Sequence, residues 1–466
     1  MNKNQKLKNP CISFVGSQST EVTGSASLLR FLDYQVLVDY GLRQSSNIEE
    51  DYLINFKRNK DIKPKQLDAI VLTHCHIDHC GLIPKLYAEG ASCHLYIPAG
   101  TKSLLLIMWE DTVKILSANK EKYGHKMLYT EDDIETTRHY IQEIELYKPT
   151  AIAPEVTFTY YNSQHIVKAR QIYFELNDGV TIKRAGFTGD ISSYSNTYWL
   201  QDSDILPYTD VLIGECTYGN AKRLHKDRDR KTDINKLQLA VNYALEHKSK
   251  VIIPTFSLNR LQTILAILYE VYNGKSPIRI VVDSPLGLKI SKLWSKYIDK
   301  DDELWDDIWN WDNIYWVKDF KDSIAFNSLD EPLLIIASGG FLQGGRAPFY
   351  VKENLPKRHN YIVFTGYSTP ESPAGQIKSG ELHEITIDGK RVKNNAHIIT
   401  LNSLSSHCDY KHLLEYYLAT KYGKICLVHG DQDAKLAFAE ALKSELSRVN
   451  RTSRVIITNK NTKIHF

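Results

Sequence analysis

The apolar run LDAIVLT leads directly into HCHIDHC, so that His74, His76, Asp78 and His79 fill six positions. No other feature constrains the fold of this chain as tightly. A continuous apolar run suits a strand buried on both faces. Such a strand must then deliver four metal-capable side chains at its carboxyl end. A lone histidine is more often a satisfied core or surface group than a ligand. Four such groups in six positions point instead to a metal site. Side chains alternate along a strand, so His74 and His76 share one side, and Asp78 and His79 follow in the loop. One tetrahedral ion does not comfortably take all four from so short a stretch, whereas two ions roughly 3.5–4 Å apart divide them. Further ligands must come from elsewhere. His165 (YNSQHIV), Asp190 (AGFTGD) and His429 (KICLVHG) each border a strand end, where a loop can aim side chains into a shared site. Singly, Gly-Asp is often only a turn and Val-His-Gly only a strand exit. Together with the first cluster they complete two coordination shells.

The chain has 466 residues, enough for two or three lobes rather than one small core. The N-terminal part reads as β-rich (CISFVGS, SASLLRFL, QVLVDYG, CHLYIPAG), with strands returning at EVTFTYYNS, QIYFELN, TIKRAGFTGD and DVLIGECTYG. Between them, EDDIETTRHYIQEIELY is expected to be an amphipathic helix with Ile134, Ile141 and Ile144 on one face. From about Asn220 the pattern changes to strand–helix alternation: DINKLQLAVNYALEH, KVIIPTF, RLQTILAILYEVYNG, IRIVVDS, LGLKISKLWSKYI, PLLIIASGG, NYIVFTGY. That alternation predicts a parallel sheet covered by helices. ITIDGKRVK predicts a hairpin turning at Asp388-Gly389. Strands tipped by histidine return at the end. The order predicts one domain with another inserted into it, with boundaries at 1–219, 220–395 and 396–466.

Composition narrows the class. The longest apolar candidate, SLLLIMWEDTVKIL, is broken by Glu110 and Asp111, so no membrane helix is expected, and no apolar segment follows the basic start as a signal peptide would require. Seven cysteines, an odd number in a large chain, argue against a disulfide framework and for a reducing, cytoplasmic setting. The net charge of +3 does not announce a polyanionic partner. Locally, AKRLHKDRDRKTDINK places three lysines and three arginines before Thr232, which is either a solvated loop or a phosphate-facing one.

With these residues placed, the chain resembles the β-CASP nucleases of the metallo-β-lactamase fold, in particular their RNA-cleaving group. The resemblance covers nearly the whole chain. His-x-His-x-Asp-His marks the superfamily. GECTYGN, VIIPTFSLNRLQ, VVDSPLG, IIASGGFLQGG, VFTGY, LSSHCDY and LVHGDQD, in that order, mark the β-CASP group. The resemblance implies an α/β fold, a metallo-β-lactamase αββα sandwich with an inserted β-CASP α/β domain. It implies one zinc on His74, His76 and His165, a second on Asp78, His79 and His429, and Asp190 between them. Manganese suits the same ligand types. Asp39, in LVDYGL, would support the metal loop from behind. The expected activity is hydrolysis of RNA phosphodiesters by a hydroxide activated by two zinc ions, with Asp78 among the catalytic groups. His407 would be the general acid and Glu215 the carboxylate that orients it and favours its protonated form. Thr217, Tyr218, His225, Ser257, Arg260, Arg346 and Tyr367 are candidate contacts to substrate phosphates. The partner implied is single-stranded RNA, cut internally or from the 5′ end; a homodimer or membership of a processing complex is left open.

Three positions depart from the family pattern: Lys168 after His165, Glu371-Ser372 after Gly366-Tyr367, and Asp431 where glutamate is common. The first two place the local loops and substrate entry in question. Rival readings are a DNA nuclease of the same superfamily, a small-ester or lactam hydrolase, and a non-catalytic scaffold. His429 favours RNA over DNA, the inserted block argues against a small-ester enzyme, and the complete ligand set argues against a scaffold.

Overall fold

The computed structural model describes residues 7–45, 47–192, 198–200, 203–221, 229–298, 303–366 and 368–466, the side chains of residues 7 and 8 excepted. Two compact units divide the chain. The first joins Met1–Tyr194, Leu200–Leu224 and Ser406–Phe466, and the second joins Ser195–Trp199 and His225–Ser405. No helix among the described residues is long and apolar enough to cross a membrane.

The first unit is built on two seven-stranded sheets. One runs in the order Lys463–His465, Leu7–Phe14, Ser27–Leu32, Tyr34–Val38, Ala69–Val71, His94–Pro98, Ile141–Ile144. The other runs Arg454–Ile457, Tyr422–Val428, Thr209–Glu215, Ile182–Phe187, Arg170–Asn177, Val156–Asn162, Thr150–Ala153. Period-two alternation explains why they stack. Phe14, Leu29, Val38 and Val71 of the first sheet form one buried cluster with Phe158, Ile172, Phe174, Phe187, Ile213 and Val428 of the second. The intervening residues Tyr173, Leu212, Ile425 and Leu427 point the other way. There they pack with Leu413 and Tyr417 of helix Tyr410–Ala419 and with Phe438 and Leu442 of helix Gln432–Arg448. Each buried side chain of this size contributes about 1.5–3 kcal/mol. A one-residue slip in a strand of the second sheet would therefore exchange the side chains of its two buried faces and mismatch both.

The second unit carries a six-stranded sheet, all parallel, in the order Ile314–Trp316, Arg279–Asp283, Leu333–Ser338, Lys250–Thr255, Tyr361–Phe364, His397–Thr400. Its strands read as unbroken apolar runs, as burial on both faces demands. The edge strand His397–Thr400 pairs with Tyr361–Phe364, and the second compact unit runs on to Ser405. After Lys250–Thr255 the chain crosses one neighbour to reach Arg279–Asp283; after Leu333–Ser338 it crosses the opposite way to Tyr361–Phe364. These adjacent strands therefore form a topological switch point, the place where open parallel sheets present a ligand crevice at their carboxyl ends. The hairpin is where its turn predicted it, with Asp388 and Gly389 at φ 46° and 74° between Glu384–Ile387 and Lys390–Lys393.

Three expectations need correction. EDDIETTRHYIQEIELY is not one helix: Glu131–Arg138 is helical behind a Thr130–Asp133 capping box, and Ile141–Ile144 is an edge strand parallel to His94–Pro98. Sheet pairing overrides the helical period there. LGLKISKLWSKYI likewise divides into a helix, Pro285–Ser291, and a 3-10 turn, Trp294–Lys296. Asp78 and His79 lie on a short helix, Ile77–Cys80, rather than in a loop.

Candidate metal centre and active site

Strand ends supply the site. Tyr34–Val38 and Ala69–Val71 run parallel in one sheet, and Ile182–Phe187, Thr209–Glu215 and Tyr422–Val428 run parallel in the other. Just beyond or at their carboxyl ends stand Asp39, His74, Asp190, Glu215 and His429, all buried. Two of these positions require a left-handed backbone, Asp39 at φ 57° and His429 at φ 50°. That conformation is uncommon for a residue with a side chain and has to be held by its surroundings. His429 is held on both sides: its N–H donates to the Gln18 carbonyl at 2.8 Å, and its carbonyl accepts from Cys216 N–H at 3.3 Å.

Asp39 organises the first cluster. Its Oδ1 accepts from Thr73 N–H and its Oδ2 from Thr73 Oγ1, both at 2.8 Å. Oδ2 also lies 2.8 Å from His79 Nδ1. His79 therefore donates its Nδ1–H to Asp39 and turns Nε2 to the centre. With its own proton given to Asp39, Thr73 Oγ1 can only accept from His74 Nδ1 at 3.0 Å, which bares His74 Nε2. His165 follows the same logic, its Nδ1 bonded to the Ser406 carbonyl at 2.9 Å. The result is a convergence of nitrogens: His76 Nδ1 lies 3.1 Å from both His74 Nε2 and His165 Nε2. Burial pushes all three histidines down, His76 to about 4, so they are neutral near pH 7.

A second convergence lies alongside. Asp78 Oδ2 is 3.4 Å from His429 Nε2 and 3.9 Å from His79 Nε2. Asp190 faces both sets with separate oxygens. Its Oδ2 is 3.5 Å from His165 Nε2 and 3.8 Å from His74 Nε2, while its Oδ1 is 3.5 Å from His79 Nε2 and 3.5 Å from His429 Nδ1. Asp190 Oδ1 is buried with no hydrogen bond among the described residues, which is costly unless a cation takes it. Burial alone would raise its carboxyl; His429, His79 and His407 outweigh that and hold it well below the ordinary carboxylate range. Burial would likewise lower His79, and Asp190, Asp39 and Asp78 instead hold it high. The groups His74–His76–His165–Asp190 and Asp78–His79–His429 each bring their ligand atoms within 4.8 Å of one another. Imidazole and carboxylate donors in two adjoining sets, one carboxylate facing both, suit divalent metal binding.

His407 stands beside this centre. Its Nδ1 is 3.1 Å from each oxygen of Glu215, and its Nε2 is 3.9 Å from Asp190 Oδ2. Glu215 is fully buried and is fixed in turn by Ile191 N–H at 2.8 Å and Thr217 N–H at 3.3 Å. Burial works against protonation of His407, but Glu215 and Asp190 prevail and raise it. Glu215 thus fixes the His407 ring through Nδ1 and favours its protonated form.

The remaining candidates divide. Ser257, Arg260 and Arg346 lie at the carboxyl ends of the inserted sheet, around the switch point. Ser257 Oγ bonds Ser284 Oγ at 2.8 Å, and Arg260 Nη1 donates to the Thr365 carbonyl. Thr217 sits instead with the metal centre, its Oγ1 3.0 Å from His429 Nδ1. Tyr218 is buried with its ring edge-on to His407. His225 and Tyr367 lie outside the described residues. Thr73 and the carbonyls of Ser406 and Gln18, on which ligand orientation depends, were not among the candidates. Thr73 directly precedes His74 and could have been suspected; a backbone carbonyl has no signature in sequence.

Three family models match the chain: the metallo-beta-lactamase superfamily over residues 19–118, the Beta-Casp domain over 261–377, and the Zn-dependent metallo-hydrolase RNA specificity domain over 391–453. Among curated relatives, an RNase J-like protein of Methanocaldococcus jannaschii is 30% identical over 390 residues, covering 81% of this chain and 85% of its own. Transcription termination factor FttA of the same organism is 28% identical over 93% of this chain and 68% of its own length. Ribonuclease TTHA0252 of Thermus thermophilus is 26% identical over 91% of this chain and 94% of its own. A solved structure of a protein of unknown function from Enterococcus faecalis V583 superposes with a TM-score of 0.56 at 13% identity over 98% of this chain and 100% of its own, a likeness of fold.

Proposed function

Because the chain belongs to the β-CASP family of metallo-β-lactamase-fold proteins, we propose that it is a metal-dependent ribonuclease that hydrolyses phosphodiesters of single-stranded RNA. One observation carries the reading: His407, held through Nδ1 by Glu215, stands at the edge of two donor sets that Asp190 faces with separate oxygens. His74, His76, His165 and Asp190 would hold one cation, and Asp78, His79, His429 and Asp190 the other; zinc is the expected ion and manganese suits the same donors. When bound, such a pair acidifies water towards neutrality and neutralises charge on phosphate oxygens.

The chain's own residues do the rest. Glu215 accepts a hydrogen bond from His407 Nδ1–H and favours the protonated ring, whose Nε2–H would serve as the acid. That proton passes to the ribose oxygen as it leaves, and His407 recovers one from solvent before the next turnover. Asp39, through Thr73 and His79, fixes the ring tautomers on which metal binding depends. Ser257, Arg260 and Arg346 hold backbone phosphates without reading bases. The seven cysteines are all free and buried, which suits a reducing cytoplasm.

The test is cleavage of an end-labelled single-stranded RNA bearing a 5′-phosphate or a 5′-hydroxyl, beside a DNA strand of equal sequence, with metal content measured in parallel and His76→Ala as control. RNA-selective, metal-dependent cleavage lost in the control supports the reading. Release of mononucleotides from the 5′ end would identify an exonuclease, and internal fragments an endonuclease. Cleavage of DNA in preference to RNA, or two bound metals with neither strand cut, would overturn it.

A further inference from the structure

The inserted unit buries an acid that belongs to none of the donor sets described above. Asp283 closes strand Arg279–Asp283 and is fully buried. Its Oδ2 accepts from Ser323 Oγ at 2.6 Å and from Tyr350 OH at 2.9 Å. Its Oδ1 has no hydrogen bond among the described residues and faces Arg346 Nε at 3.4 Å. Taking a carboxylate out of water costs several kcal/mol unless a cation and hydrogen bonds compensate. Burial accordingly pushes the Asp283 carboxyl upward, against the hydroxyls and the guanidinium that lower it. A neutral side chain could tie Ser323 and Tyr350 together without that cost, so the charge itself calls for a reason.

Arg346 supplies one. Its side chain is 24% exposed. Its backbone N–H donates to Ser338 Oγ at 3.3 Å, and its guanidinium lies 4.9 Å over the ring of Phe320. The preceding Gly345, at φ 78°, has no room for a side chain: a Cβ there would stand 2.4 Å from the Ser338 carbonyl oxygen. The residue is thus pinned at backbone, ring face and Nε. Its two Nη groups have no acceptor among the described residues, and together they form the end-on edge, which can bind a phosphate through two N–H donors. They lie beyond the carboxyl end of Leu333–Ser338, one of the two switch-point strands.

We propose that Asp283 is a positioning residue that holds Arg346 by Nε so that its Nη edge receives a phosphate of the RNA backbone. The inference rests on the ribonuclease reading. It assigns the switch-point crevice to backbone binding rather than to chemistry, so Asp283 acts on substrate affinity and leaves the hydrolytic step alone.

Full-length, metal-loaded protein is assayed on single-stranded RNA as wild type, Asp283→Asn, Arg346→Ala and the double variant. Asparagine keeps one acceptor oxygen for Ser323 and Tyr350, removes the charge, and sets an amide donor in place of the oxygen that faces Arg346 Nε. Asp283→Asn is expected to raise KM about tenfold with kcat unchanged, and Arg346→Ala to do the same while lowering the salt slope of RNA binding by about one. The double variant should be no worse than Arg346→Ala alone, since both changes act through one contact. Should Asp283→Asn fail to fold, Tyr350→Phe loosens the same carboxylate and is expected to raise KM several-fold. A wild-type KM in Asp283→Asn (or, in that event, in Tyr350→Phe), or additive effects in the double variant, overturns the inference while RNA cleavage stands. Wild-type protein that cuts no RNA overturns the ribonuclease reading instead.

Discussion

At the scale of single residues, the proton on His407 decides the sign of the pH dependence. Glu215 and Asp190 raise its pKa, so a rate that needs the protonated ring falls as pH rises through that raised value. Glu215→Gln removes the nearer charge and should move this alkaline limb to lower pH, read from kcat profiles at constant metal content. His407→Ala should lower kcat by roughly 10²–10⁴-fold, the usual worth of a general acid, with both metals retained; full activity in this variant would remove His407 from the mechanism. Asp39→Asn weakens the Nδ1 anchor of His79 and should cost about 10–100-fold in metal affinity, measured by competition with a chelator. The side chains that converge were legible in the sequence because their chemistry is intrinsic and their spacing dense. The orientation of their rings was not, because it is set by Thr73 Oγ1 and the Ser406 carbonyl, groups that any fold could place anywhere.

Elements were legible where burial dictates the pattern and obscure where pairing does. LLIIAS and KVIIPT read as buried parallel strands and are such. Ile141–Ile144 carries a helical period and becomes an edge strand because His94–Pro98 offers it an unpaired side. The four-residue helix Ile77–Cys80 is too short for periodicity to show. It is fixed from outside: Ser25 N–H donates to the Asp78 carbonyl at 2.7 Å and Tyr40 N–H to the His79 carbonyl at 2.8 Å. Gly41 makes this close approach feasible, since a Cβ there would lie 1.7 Å from the Asp78 carbonyl oxygen. Gly41→Ala must therefore displace the helix that bears Asp78 and His79. It is expected to destabilise the fold by at least about 2 kcal/mol and to lower bound metal below wild type, seen by thermal unfolding and metal analysis.

Across the whole molecule, metal and proton compete for one set of nitrogens. Without metal, the depressed His74, His76 and His165 favour the fold only while unfolded histidines are also neutral. Their contribution is present above the ordinary value near 6.5 and is lost as pH falls towards the His76 value of about 4. The raised His79 and His407 add nothing to the slope in that window, because below 6.5 their contribution is already complete. Chelated protein should therefore unfold at progressively lower temperature from pH 6.5 to 4. Saturating metal at pH 7 should raise the unfolding temperature by mass action. A chelated protein with a flat profile over this range would contradict the assigned burial of the three rings. The insertion of one unit in another was readable from the order of patterns, whereas the reach of the inserted sheet to His397–Thr400 depended on a strand pairing that no local pattern announces.

The distribution of ligands along the chain bears on how the protein is made. His429 and Asp78 face one another across 351 residues of sequence, and the inserted unit lies between them. A ribosome releases His74 to His79 early, then has to translate the whole inserted unit before His429 emerges. Until then the nascent polypeptide, held within reach of ribosomal and messenger RNA, carries an incomplete set of donors. Splitting the host unit around its insert thus defers assembly of the centre until the insert has been made.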